Sequence, residues 1–316
     1  MRFEKQELFI GIRKKGQALI ARAHVVILGC GALGSVAAEL LARSGVRKLT
    51  LIDRDFIELS NLQRQSLYTE RDVGSLKALV LAARVKEINS SVEVNAYPVD
   101  LDVENVNLLN SDLVLDCTDN FYTRFLVNDY CKKEKQSWIF ASAVGSSGYV
   151  FPIVDKGPCF RCLFNEPTSA LGSCDTEGVL NTIVHTVASL QVTEALKFLT
   201  KQNPSEDLLF INVWNPTLLE LKTKKRKNCP TCKGEFEYLS GKKTPGIVKM
   251  CGVNLFQIKD KNLELNELEK KLSRLDKVRK GKHCMFFKDL VIFKDRVLVK
   301  ANSEKEAKAL ADRYVG

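Results

Sequence analysis

At 316 residues the chain is long enough for one large domain and a smaller one, and 45% apolar with 27% charged residues describes an ordinary globular protein, not a disordered or fibrous one. Its apolar runs are only strand-length and its opening Met1-Arg2-Phe3-Glu4-Lys5-Gln6 lacks the apolar core of a signal peptide, so neither a membrane span nor secretion is expected and a cytoplasmic location follows by default. The formal charge of +10 invites nucleic acid or an acidic protein as partner, but much of the excess gathers at 222–227 and 277–282 without interleaved aromatics, the pattern of solvated loops.

Residues 4–21 carry an amphipathic helical pattern. From 24 to about 143, strand-like runs (25–28, 49–52, 92–97, 113–116, 138–141) alternate with helical stretches (32–44, 75–88, 121–133). That alternation predicts a doubly wound, mostly parallel, Rossmann-like α/β sheet. Residues 145–154 read as a strand at the edge of this sheet. A loop of small and polar residues follows at 165–178, then a long helix at 181–200. A hairpin, 208–213 and 218–222, turns at Asn215-Pro216. Ser240-Gly241-Lys242-Lys243-Thr244-Pro245-Gly246 is a linker by composition. Beyond it a small α+β unit is expected, with helices at 264–275 and 304–314 and strands at 285–287, 291–293 and 297–299. The expected domains are 1–239 and 246–316, with no internal repeat.

The most informative segment is Gly29-Cys30-Gly31-Ala32-Leu33-Gly34, between the first strand and its helix. Alone, such glycines serve a tight turn in any doubly wound sheet. Here an acid, Asp53, closes the next strand, at the distance where a carboxylate meets ribose hydroxyls. A carboxylate at that place can also cap a turn. The loop and helix N-terminus present backbone N–H groups to phosphate. A polar and cationic run follows, Ser60-Asn61-Leu62-Gln63-Arg64-Gln65, and then Lys77. Arg64 and Lys77 suit the charge developing on a leaving polyphosphate. Asp119, in Asp116-Cys117-Thr118-Asp119-Asn120, follows a strand and reaches the same crevice. It suits Mg²⁺ on a triphosphate, an ion that takes one or two carboxylates plus phosphate oxygens. The set fits cleavage of ATP. A nicotinamide dehydrogenase would account for the glycines and Asp53 but leaves Arg64, Lys77 and Asp119 without a task. It would also want a His at the hydride site, and His185 sits inside a helical pattern.

Ten cysteines in a chain of this kind argue for metal or catalysis over disulfides. Cys159-Phe160-Arg161-Cys162 and Cys229-Pro230-Thr231-Cys232 each have the knuckle spacing that brings two thiolates to one tetrahedral Zn²⁺. With four protein ligands such a site is structural, a staple between distant parts of one domain. A redox C-x-x-C is the rival, and the presence of two motifs disfavours it. A zinc-containing RNA-binding or scaffold protein would use the basic runs instead.

On the glycine loop, Asp53, the 60–65 run, Lys77, the 116–120 run and both cysteine pairs, residues 1–234 resemble the MoeB/ThiF family, bacterial and archaeal relatives of ubiquitin-activating enzymes. Cys174 and Gly178, before the long helix, also fit. The resemblance implies adenylation, with Mg·ATP, of the C-terminal glycine carboxylate of a small ubiquitin-like sulfur-carrier protein (MoaD/ThiS-like) ending in Gly-Gly, with release of pyrophosphate. It implies that Gly31 and Ala32, framed by Gly29 and Gly34, meet the phosphates and Asp53 the ribose. Asn61, Arg64 and Lys77 hold phosphates, Asp119 binds Mg²⁺, and Ser60 and Asn120 complete the nucleotide set. It makes Cys174 a residue the carrier or its sulfur engages covalently, with a sulfurtransferase as donor. The carrier tail would thread under the 165–178 loop. The family's opening usually supplies an Arg to the partner subunit's nucleotide; Lys5 stands there and lacks the Arg fork. A homodimer is implied with that reduced contact. Relatives that adenylate a modified tRNA base typically lack the paired cysteines. The tail resembles an extension found on some members, not the rhodanese-type sulfurtransferase domain of others.

Overall fold

The strand-like runs of the first domain pair into a single eight-stranded sheet in the computed structural model, which describes residues 2–164, 178–243, 248–250, 255–259, 263–281, 284–294 and 296–316. Five strands are parallel: β1 (His24–Leu28), β2 (Lys48–Ile52), β3 (Glu93–Tyr97), β4 (Leu113–Asp116) and β5 (Trp138–Val144). Three antiparallel strands extend the sheet: β6 (Ser147–Ile153), β7 (Leu208–Asn212) and β8 (Thr217–Leu221). The order is β3-β2-β1-β4-β5-β6-β7-β8. The chain moves outward one way from β1 through β2 and β3, then returns to place β4 on the other side of β1. That reversal is the topological switch point, where crevices open beyond the strands' carboxyl ends.

The helices lie on both faces and explain why the strands read as unbroken apolar runs. Val25 and Ile27 of β1 join one core with α3 (Ala32–Ser44), α4 (Lys77–Ile88) and α7 (Asn181–Leu199). Val26 and Leu28 face the other core, built on Phe125 of α5 (Phe121–Lys133) and on Phe160 of α6 (Phe160–Leu163).

Two expectations are corrected. The lead-in helix is broken into α1 (Glu4–Leu8) and α2 (Arg13–Ile20). Gln6 and Gln17 both donate to the Ser44 carbonyl, each at 3.0 Å. On one continuous helix these residues would stand about 16 Å apart, so the chain must turn between them. The strand around 147–153 is not an edge: β6 lies between β5 and β7, and β8 is the edge. Its burial on both sides follows from the β7–β8 hairpin that continues the sheet.

The residues from 248 onward form a second compact unit. Its sheet runs β11-β12-β13-β14-β10-β9, with β9 (Val248–Met250), β10 (Leu255–Lys259), β11 (Arg279–Lys280), β12 (Met285–Phe287), β13 (Leu290–Ile292) and β14 (Arg296–Lys300). Helices α8 (Leu265–Leu272) and α9 (Glu304–Tyr314) bury Leu268, Leu272, Ala307 and Ala311 in one cluster with Phe287, Ile292, Val297 and Val299. Three of these strands, β9 to β11, went unread in the sequence, two of them being two or three residues long. No helix among the described residues is long and apolar enough to cross a membrane.

Candidate active site

The crevice is assembled at the carboxyl ends of β1, β2 and β4. Gly29 leaves β1 at φ +91, and a Cβ there would stand 2.7 Å from the Cys117 carbonyl oxygen, so the loop after β4 closes directly on it. Gly34 lies in the first turn of α3, where a Cβ would meet the Gly29 carbonyl oxygen at 1.8 Å. Only glycine lets helix and loop approach this closely. Gly31 is the N-cap of α3 and Ala32 its first residue, and no side chain caps the helix. The first-turn N–H groups are therefore open to an anion.

Asp53 follows β2 and serves this loop. One carboxylate oxygen accepts from the Cys30 N–H at 2.6 Å, the other from the Asp55 N–H at 2.7 Å. The turn-capping role is thus present, and each oxygen keeps a lone pair for a hydroxyl donor. Burial, and then the neighbouring Asp55 charge, push Asp53 up to about 6, against the pull of Lys77 and the two N–H groups. Lys77 opens α4; its backbone N–H donates to the Asp55 carbonyl at 2.9 Å and its Nζ lies 3.2 Å from Asp55 Oδ2. Burial pulls the Lys77 pKa down, but the Asp55 and Asp53 charges outweigh it and the net direction is up. The charge of Asp119 acts on both Lys77 and Arg54, which places all of them in one electrostatic neighbourhood. Arg54 also pairs with Asp100 at 3.0 Å.

The 60–65 run forms a short 3₁₀ turn and the bend after it. Asn61 is buried and accepts from the Glu58 N–H at 3.2 Å, closing a capping box. Ser60 is exposed and donates to Glu58 at 3.2 Å. Arg64 is half-buried, and its guanidinium donates to the Ser60 carbonyl at 3.1 Å. Gln65 is buried beside Gly31, and its Oε1 has no hydrogen-bond partner. Asp119 is exposed in the loop after β4. Asn120 caps α5, its Oδ1 accepting from the Thr123 N–H at 2.8 Å. Lys5 is exposed on α1, and Cys174 lies outside the described residues.

Several positioning residues escaped the sequence reading. Asp116 is fully buried and paired with Arg124 at 3.2 Å, and it accepts from both the N–H and the hydroxyl of Thr118. Burial still pushes Asp116 upward despite Arg124. Gln191 of α7 donates to the Asp116 and Ile139 carbonyls, each at 2.9 Å. The Tyr68 hydroxyl, buried, bonds to the Cys30 carbonyl at 2.7 Å and reaches the Lys77 carbonyl at 3.3 Å, tying the glycine loop to α4. For Asp55 the visible signal is a second acid two residues after Asp53.

Away from the crevice, the two cysteine pairs converge. All four sulfurs lie within 4.8 Å of one another, with separations of 3.5 Å for Cys159–Cys229, Cys162–Cys232 and Cys159–Cys232 and 3.8 Å for Cys159–Cys162. Sulfurs bound tetrahedrally at a zinc-type distance stand about 3.8 Å apart, so the cluster fits one such ion. Thiols this close cannot all ionise unaided. The hydrogen bond from Cys159 draws Cys162 down to about 4, while that bond and burial drive Cys159 up.

Comparison with known proteins agrees with this geometry. The family model described as "ThiF family" matches residues 3–231. A sulfur carrier protein ThiS adenylyltransferase of Bacillus subtilis is 38% identical over 276 residues, covering 85% of this chain and 82% of that protein. A SAMP-activating enzyme E1 of Haloferax volcanii is 35% identical over 237 residues, covering 73% of this chain and 88% of that protein. The crystal structure of Escherichia coli MccB with ATP superposes with a TM-score of 0.62 at 26% identity, over 69% of this chain and 68% of that one. With the family model spanning the glycine loop, Asp53, Lys77, Asp119 and the first cysteine pair, the chain belongs to the ThiF family.

Proposed function

We propose that this chain is an ATP-dependent adenylyltransferase that activates the C-terminal glycine carboxylate of a small ubiquitin-like sulfur carrier. The observation that carries this reading is the crevice at the switch point. There an uncapped helix N-terminus, a carboxylate beside the loop, a buried lysine and an exposed aspartate converge. Sulfur carrier adenylation in the Bacillus relative and activation of SAMP in the Haloferax relative supply the substrate class.

In this reading the N–H groups at Gly31 and Ala32 receive phosphate, and Asp53 accepts from ribose hydroxyls through the lone pairs its backbone bonds leave. Mg²⁺ on the triphosphate is held by Asp119, with Asn120 beside it. Arg64 and Lys77, with Ser60 and Asn61, take the charge of the departing pyrophosphate as Lys77 exchanges Asp55 for phosphate oxygen. The carrier carboxylate attacks the α-phosphorus in line; the protein contributes position and charge, and no protein nucleophile enters this step. The four cysteines hold a structural Zn²⁺. Lys5 meets the nucleotide of a second subunit in a homodimer, and Cys174 engages the carrier or its sulfur after adenylation, with a sulfurtransferase as donor. The reaction belongs in the cytoplasm.

ATP–pyrophosphate exchange tests the reading. Exchange should require a carrier ending in Gly-Gly and vanish when those two residues are removed from it. Exchange indifferent to the carrier, or displacement of ATP by NADH at equal concentration, would overturn it.

A further inference from the structure

One helix joins the two sites. At the start of α5, Asn120 caps the helix directly after Asp119, and one turn on Arg124 donates to Asp116 and to the Thr118 carbonyl. Farther along, Asn128 Oδ1 accepts the Phe160 N–H at 2.9 Å, and Asp129 accepts the Thr231 hydroxyl at 2.7 Å and the Tyr238 N–H at 2.9 Å. Phe160 and Thr231 are residues inside the two Cys-x-x-Cys knuckles. Successive residues of one helix therefore grip both halves of the cysteine cluster. The grip is packed as well as hydrogen-bonded: the Phe125 ring stacks on Tyr238 at 4.9 Å and meets Phe160 edge-on at 5.3 Å. Asn128 and Asp129 are both about fully buried, and Asn128 Nδ2 has no hydrogen-bond partner, so that side chain serves as an acceptor alone.

We propose that α5 is a strut through which the four-cysteine cluster sets the position of the Asp119 loop, with Asn128 and Asp129 as positioning residues; the catalytic consequence rests on the adenylation reading above. The helix rises nine residue steps from Asn120 to Asp129, a rigid rod about 14 Å long. Its far end is held by both knuckles, and a metal ion would fix the knuckles relative to each other. Its near end is fixed to the Asp116–Asn120 loop through Arg124 and the Asn120 cap. A loosened cluster lets the rod move, and the loop moves with it, carrying the exposed carboxylate of Asp119. Coupling of this kind can be carried by a rigid packed element between the sites, and α5 is one.

The test uses the full chain, loaded with zinc and then stripped by chelation, alongside Asp129→Ala and Asp129→Asn. Three readouts are taken: zinc per chain, amide exchange at Thr118, and KM and kcat for Mg·ATP in carrier-dependent pyrophosphate exchange. The expected result for zinc-loaded Asp129→Ala is a KM raised about tenfold, with faster exchange at Thr118. Stripped wild type should show the same pair of changes, chelation should add little to the variant, and Asp129→Asn should recover most of the loss. Unchanged KM and unchanged Thr118 exchange in folded, stripped wild type would overturn the strut. If Asp129→Ala does not fold, stripped wild type decides alone. Wild type without any pyrophosphate exchange would sink the adenylation reading, while Thr118 exchange would still decide the strut.

Discussion

The nucleotide crevice and the cysteine cluster lie in the same unit, yet they hold their working groups in opposite ways. In the crevice, the charges are already answered by other protein groups: Asp53 by two N–H donors, Lys77 by Asp55 and Arg54 by Asp100. In the cluster, four sulfurs have chiefly one another at 3.5 to 3.8 Å. Ligand binding in the crevice is therefore an exchange of partners, which the fold survives in either state. A metal ion in the cluster would give the four sulfurs a common partner that the protein itself does not supply. Substitutions in the crevice should appear in rates and affinities with little change in stability. Substitutions in the cluster should appear first in stability.

The largest effect is expected at Asp119. Asp119→Ala removes an exposed carboxylate without internal packing, so the melting temperature should hold while carrier-dependent pyrophosphate exchange falls roughly a hundredfold or more. A folded variant with near-normal exchange would break the crevice half of the comparison. Next comes Cys232→Ser, which should lose most of about one zinc per chain and melt about 5 °C or more lower. A zinc-free native protein of unchanged stability would break the other half.

A smaller effect sharpens the role of Asp53. Folding raises its pKa from 3.8 to about 6, so between those values the folded chain holds a proton that the unfolded chain has released. The contribution of this group to stability therefore declines as pH rises through that window and is flat above it. A ribose hydroxyl needs the carboxylate, so binding changes the other way. Adenosine, which has no titrating phosphate, should bind up to about tenfold more weakly at pH 5 than at pH 7.5. Asp53→Asn should flatten that dependence; an equally steep profile in the variant would remove Asp53 from the ribose. The smallest effect is expected for Tyr68→Phe, which strips one donor from the Cys30 and Lys77 carbonyls. It should cost about 1 kcal/mol in stability and raise KM for ATP modestly, read by denaturant titration and steady-state kinetics.

Legibility in the sequence followed the range of the constraint. The glycine loop and Asp53 could be read because turn, helix start and strand end are set by neighbours within a few residues. The cysteine pairs could be read because each knuckle is local, even though the two knuckles are 70 residues apart for Cys159 and Cys229. What escaped acts across the fold on backbone atoms. Tyr68 reaches a carbonyl 38 residues away and Gln191 one 75 residues away, and neither leaves a spacing signature. The ion pair of Asp116 with Arg124 has such a signature, an acid at a strand end and an Arg one turn into the next helix, and that pattern went unread. The misplaced edge strand has a similar cause: which strand ends a sheet depends on a hairpin more than fifty residues later in the chain, β7–β8.

The central claim is that this crevice transfers AMP to a protein carboxylate. Intact-mass spectrometry of a carrier ending in Gly-Gly, after incubation with this chain and Mg·ATP, tests it most directly. The account predicts a carrier population heavier by one adenylyl group, formed only with ATP, missing with Asp119→Ala and lost on treatment with pyrophosphate. A carrier of unchanged mass, from a chain shown in the same sample to bind ATP, would contradict it.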